Sequence, residues 1–156
     1  MTQILKSFQN QLMNEQLHFS GSTDAELRVL QEQLQVNLPA DLAEYFLLIN
    51  GTGGEYTKNM FEFYSINNFK NIKVYYEDWE GIPSYNKACS NLVGCENYFC
   101  FANSNFHSYA YAIYLSNELS ESGKVYTICG EDYREISTSF NEFLALYMND
   151  SEDLYL

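Results

Sequence analysis

The amino-acid sequence predicts an α+β fold, a twisted antiparallel sheet of about five to six strands with helices from the N-terminal and C-terminal ends packed on it. Three observations carry this. Apolar residues recur at helical spacing towards both ends of the chain. Between them, from "MFEFYSI" to "KVYTI", the pattern changes to short runs rich in Tyr, Phe, Val and Ile. These runs follow one another too closely for each to need a crossover helix, so the sheet meanders.

The helices come first. In residues 2 to 14, Ile4, Leu5, Phe8 and Leu12 share one face of a segment otherwise rich in Gln, Asn and Lys, which predicts an amphipathic helix laid on the domain. "STDAEL" then carries a reciprocal capping box, with Thr23 accepting from the backbone of Glu26 and Glu26 reaching back; Leu27, Leu30 and Leu34 form the stripe of a helix over 24 to 35. In "LPADLAEYFLLINGTGGE", Pro39 suits the first turn of a third helix, and Leu42, Tyr45, Phe46 and Ile49 fall at i, i+3, i+4 and i+7. Asn50 and Gly51 stop it, because both tolerate the left-handed conformation of a helix end. Gly51, Gly53 and Gly54 form no phosphate cradle: such a loop needs a strand before it, a helix after it and a terminal Lys, and here a helix precedes and strands follow.

The strands are read as "MFEFYSI", "IKVYYE", "NYFCF", "YAYAIYL" and "KVYTI". In "YAYAIYL", Tyr109, Tyr111, Ile113 and Leu115 share one face and Ala110, Ala112 and Tyr114 the other; the small alanines predict close packing on that second side. "DWEGIPSYNKACSNLVG" is the long irregular connection and a candidate binding loop. "STSFNEFLALYMND" closes the fold with a helix begun by a second capping box, Ser139 to Glu142, and the tail "NDSEDLYL" is expected to fray.

The 156 residues are expected to form one domain, 1-156, with a core of about 23-147 and the helix of 2-14 as an extension. With 21 Asp and Glu against 8 Lys and Arg the net charge is −13, which argues against direct nucleic-acid binding and against anionic membranes, and favours a cationic partner. The N-terminal segment lacks the apolar core of a signal peptide, so the expected location is cytoplasmic. Cys89, Cys95, Cys100 and Cys129 match no metal knuckle or redox pair by spacing and read as reduced, mostly buried thiols. A zinc site from Cys95, Cys100 and His107, or a thiol-imidazole pair from Cys100 and His107, has no support in the spacing, and no residue pattern calls for a cofactor.

The candidate site residues are acidic and aromatic. In "YYEDWEG", Glu77, Asp78 and Glu80 surround Trp79, the one tryptophan, which is the composition of an interface hot spot for a cationic partner; a core tryptophan at a strand end fits the same residues. "CGEDYREI" offers Glu131, Asp132 and Tyr133, which also read as a polar turn before the last helix. Glu96 and Tyr98, at the start of "NYFCF", complete the set.

"TDAELRVLQEQLQVNLPADLAEYFLLINGTGGE", followed by "FEFYSI", "VYYEDWEGIP", "NLVGCENYFCFANSN", "YAIYL", "GKVYTIC" and "SFNEFLALYM", resembles the SMI1/KNR4 family of the SUKH superfamily over about residues 23 to 147. The resemblance implies a non-enzymatic binding domain. Its bacterial members resemble cytoplasmic immunity proteins that neutralise toxin domains of polymorphic or contact-dependent systems, many of them nucleases; its fungal members resemble regulators of cell-wall synthesis. The partner it implies is a cognate protein toxin, with a regulatory or scaffolding domain as the alternative. Monomer and weak dimer both stay open.

Overall fold

The computed structural model describes residues 1-156. It is an α+β fold with six strands in an antiparallel sheet and six helices. The helices are α1 (Gln3–Asn14), α2 (Asp24–Leu34), α3 (Ala40–Leu48), α4 (Ile72–Tyr75), α5 (Ala88–Asn91) and α6 (Phe140–Met148). The strands are β1 (Phe61–Phe63), β2 (Lys70–Asn71), β3 (Tyr98–Ser104), β4 (Tyr109–Tyr114), β5 (Val125–Cys129) and β6 (Asp132–Ser137), ordered β1-β3-β4-β5-β6, with β2 also paired to β3.

Local chemistry explains the helical ends. Thr23 and Glu26 close both arms of the capping box at 3.1 Å. At the end of α3, Asn50 (φ 57°) and Gly51 (φ 89°) turn left-handed. A Cβ on Gly51 would fall 2.7 Å from the Ser65 nitrogen, so glycine is required there by space as well as by conformation. The Asn50 side chain then accepts from the Ile66 N–H at 2.8 Å, and the Thr52 N–H bonds the Phe63 carbonyl at 3.0 Å. The glycine loop therefore hands α3 to β1. It binds backbone, not phosphate.

The two sheet faces are covered unequally. On one, α1, α2, α3 and α6 pack on the sheet in a 26-residue buried cluster that includes Leu5, Phe8, Leu12, Leu42, Phe46 and Phe143 together with Phe63, Phe101, Tyr111 and Ile113 of the sheet. Helix α1 is part of this core, since Leu5, Phe8 and Leu12 are fully buried and Phe8 meets Tyr147 at 5.5 Å. On the other face a 12-residue cluster gathers Ala110, Ala112, Cys100 and Ile128 under Ile72, Tyr76, Tyr85, Ala88 and Leu92. The alanines of β4 thus face the close-packed segment 72-95, as their size predicted.

Five expectations need correction. "IKVYYE" is not a strand: pairing stops after Asn71, whose side chain accepts from the Val74 N–H at 2.9 Å and starts α4. Asp132 to Ser137 is a strand, not just a polar turn, and its charged edge position hides the alternation that sequence patterns report. At α6, Ser139 Oγ accepts from the Glu142 N–H at 3.1 Å, but the Glu142 carboxylate turns to the Thr138 N–H and hydroxyl, both at 2.7 Å, so the reciprocal arm moves one residue back. The tail is docked: Leu154 is buried, its carbonyl accepts from the Tyr111 hydroxyl at 3.0 Å, and Arg134 donates to the carbonyls of Asp153 and Tyr155. Cys89 and Cys95 form a disulfide with Cα atoms 5.3 Å apart, because α5 and the turn after it fold these positions together; Cys100 and Cys129 are the free thiols.

Candidate partner-binding surface

The thinly covered face carries the acidic and aromatic residues singled out above. Strand alternation decides which they are. Tyr98 of β3 stands opposite Tyr114 of β4, and Tyr126 of β5 lies on the same side. Tyr98 meets Tyr114 at 5.1 Å and Tyr126 at 5.0 Å, both edge-to-face, and Tyr126 meets Tyr133 of β6 at 6.3 Å. The row runs from a buried Tyr98, through half-buried Tyr114 and Tyr126, to Tyr133 on the sheet edge, which is 42% exposed. Burial raises the hydroxyls of Tyr98 and Tyr126 above the ordinary tyrosine range, so both remain neutral donors.

Beside this row opens a cleft of about 600 Å³, lined by Val93, Tyr98, Tyr114, Glu121, Lys124 and Tyr126 among others. Val93 is 89% exposed on the loop that the disulfide closes. Lys124 pairs with Glu135 at 3.2 Å. Exposed as both are, that ion pair adds little to stability, and its charges stay available to a partner.

The β5-β6 turn connects the row to the tryptophan. Gly130 (φ 61°) lets the hairpin turn, and a Cβ there would lie 3.0 Å from the Ser84 carbonyl oxygen, so the segment after Trp79 packs directly on the hairpin. Asn91 Nδ2 donates to the Glu131 carbonyl at 3.1 Å. Between the two segments lies a polar cleft of about 500 Å³ that Asn86, Lys87, Glu131 and Asp132 help to line.

Trp79 itself is half-buried and fixed. Its indole N–H donates to the Pro83 carbonyl at 2.8 Å, its ring covers Gly81, where a Cβ would fall 2.2 Å from the indole, and it packs against His107 at 4.9 Å and Tyr76 at 5.7 Å. It belongs to the smaller core with one edge outward, while Glu77, Asp78 and Glu80 around it are exposed. Trp79, Glu77 and Asp78 border a third cleft, of about 420 Å³, with Lys70, Tyr75 and His107.

A hydrogen-bonded network holds that end of the face. Asn103, buried in β3, donates to the Tyr64 hydroxyl at 2.8 Å and to Glu62 at 3.0 Å, and accepts from the Tyr56 hydroxyl and the His107 N–H. It secures a turn in which Asn105, Phe106 and His107 are all left-handed, with φ of 51°, 54° and 66°. Burial lowers the His107 pKa, so its ring is neutral near pH 7, and Nδ1 lies 3.0 Å from the Tyr76 hydroxyl.

Cys100 is fully buried and burial pushes its thiol up, so it is no thiolate, and the His107 ring nitrogen is engaged by Tyr76. Cys95 is committed to the disulfide, which removes it from the zinc trio considered above. No group of three or more His, Cys, Asp or Glu is arranged to hold a metal ion.

Of the residues named from sequence, Trp79 is bonded to Pro83 with Glu77 and Asp78 at its own cleft, Glu131 and Asp132 line a separate cleft against the 83-87 segment, Tyr98 and Tyr133 belong to the tyrosine row, and Glu96 is exposed in the turn before β3. Tyr114, Tyr126, Val93 and Glu135 were missed. The signal for Tyr126 was its β-strand parity with Ile128, and it becomes visible only once strand register is known.

The order of elements and their sequence decide the family: the model of the SMI1 / KNR4 family (SUKH-1) matches residues 21–146. The chain belongs to this family. A search of curated proteins finds no match. The SMI1/KNR4 region spans α2 to α6, so α1 and the docked tail lie outside it. No helix of this SMI1/KNR4 protein is long and apolar enough to cross a membrane.

Proposed function

We propose that this SMI1/KNR4 protein is a non-enzymatic immunity protein of the cytoplasm that binds a cognate bacterial toxin domain and neutralises it through the tyrosine-rich acidic face. The observation that carries the reading is the composition of that face. Tyr98, Tyr114, Tyr126, Tyr133 and the edge of Trp79 supply large, rigid contact groups, and Glu77, Asp78, Glu80, Glu96, Glu131 and Asp132 stand exposed around them. Carboxylates outnumber the cations beside them: Lys70, Lys87 and Lys124 each border one of the three clefts, and Lys124 is paired with Glu135.

Carboxylates around aromatic anchors suit a basic partner. A toxin that cleaves nucleic acid carries a cationic groove for phosphates, and an acidic inhibitor can fill that groove, gaining fast association and specificity. The −13 net charge steers the encounter, and the aromatic row supplies the contact that outlasts it.

Co-expression with any toxin domain found encoded beside this gene tests the reading. Protection of the host and a one-to-one complex, associating about ten-fold or more slowly when salt is raised from low to physiological levels, are expected. Failure to protect, together with failure to form a complex, overturns it. Weak binding to several unrelated proteins would instead place the protein with the regulatory members.

A further inference from the structure

Strand β6 ends the sheet. Five of its six residues are at least partly exposed, and its backbone N–H and C=O groups make no backbone hydrogen bond other than those to β5. The opposite edge is broken between β1 and β2, of three and two residues, and offers no comparable length. A free edge of about 20 Å is a template for another strand. Proteins normally protect such an edge with charge, and here the carboxylates outnumber the one arginine of the strand. Arg134 is turned to the helical side, where it donates to the carbonyls of Asp153 and Tyr155. The edge keeps the carboxylates of Asp132 and Glu135, the latter in an exposed pair with Lys124 at 3.2 Å, and Glu131 stands in the adjoining turn.

That pattern discriminates between partners. A second copy would bring the same carboxylates against these, which is repulsive across neighbouring strands, whereas a strand bearing Lys or Arg at alternate positions is attracted. Tyr133 and Glu135 pair with Ile128 and Tyr126, so both point to the tyrosine-rich face. Basic side chains on that side of an added strand would sit beside Glu135 and Tyr133 and prolong the tyrosine row.

We infer that β6 takes up an extended, lysine- or arginine-bearing segment of the partner protein as a seventh strand of the sheet. The identity of the protein that supplies the segment rests on the reading above; the edge and its charge do not.

The probe is a synthetic eight-residue peptide of alternating lysine and valine, with a copy methylated at every backbone nitrogen, which keeps the charge but cannot donate to a strand. Titrated into isotopically labelled protein, the unmethylated peptide should slow amide exchange in β6 at least ten-fold, and the methylated copy should bind at least ten-fold more weakly. Asp132→Lys with Glu135→Lys, both at exposed positions, should lose the peptide while giving an otherwise native spectrum. Equal binding of both peptides, or binding without protection of β6, overturns strand addition in favour of simple charge attraction. Concentration-dependent protection of β6 without peptide overturns it in favour of a second copy. The two readings fail separately: a toxin complex in which β6 exchanges freely ends this inference and leaves the immunity function standing, whereas a toxin that is not bound ends the immunity function and leaves the peptide result standing.

Discussion

The two faces of one sheet are built to different specifications. The helical face joins four helices to the sheet in a cluster of 26 buried residues, and its contacts are mainly apolar and aromatic: Phe143 meets Phe101 at 4.9 Å and Tyr111 at 5.4 Å, and Phe8 meets Phe63 at 4.8 Å. The other face buries 12 residues under one irregular segment, and its order depends on polar geometry, with Asn103, the Tyr76–His107 contact, the Trp79–Pro83 bond and the Cys89–Cys95 bridge each fixing part of it. Dense apolar packing supplies stability without regard to partner. A thin cover held by directional bonds keeps aromatic groups at the surface in fixed positions, which is what recognition needs.

The contrast breaks most visibly on the helical side. Phe143→Ala leaves a cavity that four surrounding elements cannot fill, and should cost about 3–5 kcal/mol in denaturant unfolding. A loss near 1 kcal/mol would mean that the helical face is not the main core. On the thin face, Asn103→Ala strips partners from Tyr64, Tyr56, Glu62 and the His107 N–H, and should cost about 1–3 kcal/mol, with loosening of the turn at 105-108 visible in amide exchange. An unchanged turn would show that the network is incidental.

Acid should act through the same network, and less strongly. The folded-state pKa of His107 is depressed by burial, so between the unfolded value of about 6.5 and that lower value the unfolded chain binds more protons than the folded one. Stability therefore falls as pH falls through that window. The drop in melting temperature from pH 7 to pH 5.5 should be smaller in His107→Gln than in the parent protein; equal drops would remove His107 from the account. The smallest stability effect belongs to Tyr133→Ala with Glu131→Gln, within about 0.5 kcal/mol because both side chains are exposed. The same double variant should weaken partner binding at least ten-fold, and unchanged affinity would free the hairpin of that role.

Much of this was legible beforehand because it rests on short-range chemistry. The Thr23–Glu26 capping box, the Asn50–Gly51 stop and the two faces of "YAYAIYL" are each encoded within a few residues. What escaped depends on distant ones. Asn71 can cap a helix only where β3 ceases to pair, β6 is a strand only because β5 lies beside it, and Leu154 is ordered by the Tyr111 hydroxyl 43 positions earlier. Trp79 takes the core position the sequence allowed, pinned to Pro83 and His107, while its acidic neighbours face solvent. The disulfide had no signature at all, since a spacing of six matches no motif and the geometry is made by α5.

The central claim is that the tyrosine-rich face, and not the helical one, meets the partner. Amide exchange of the complex with the bound partner tests it most directly. Protection concentrated in residues 93-98, 114, 124-135 and around Trp79, with α1, α2 and α6 unchanged, is the predicted result. Protection mapped to α1, α2 or α6 with the tyrosine row exchanging as in the free protein would contradict it.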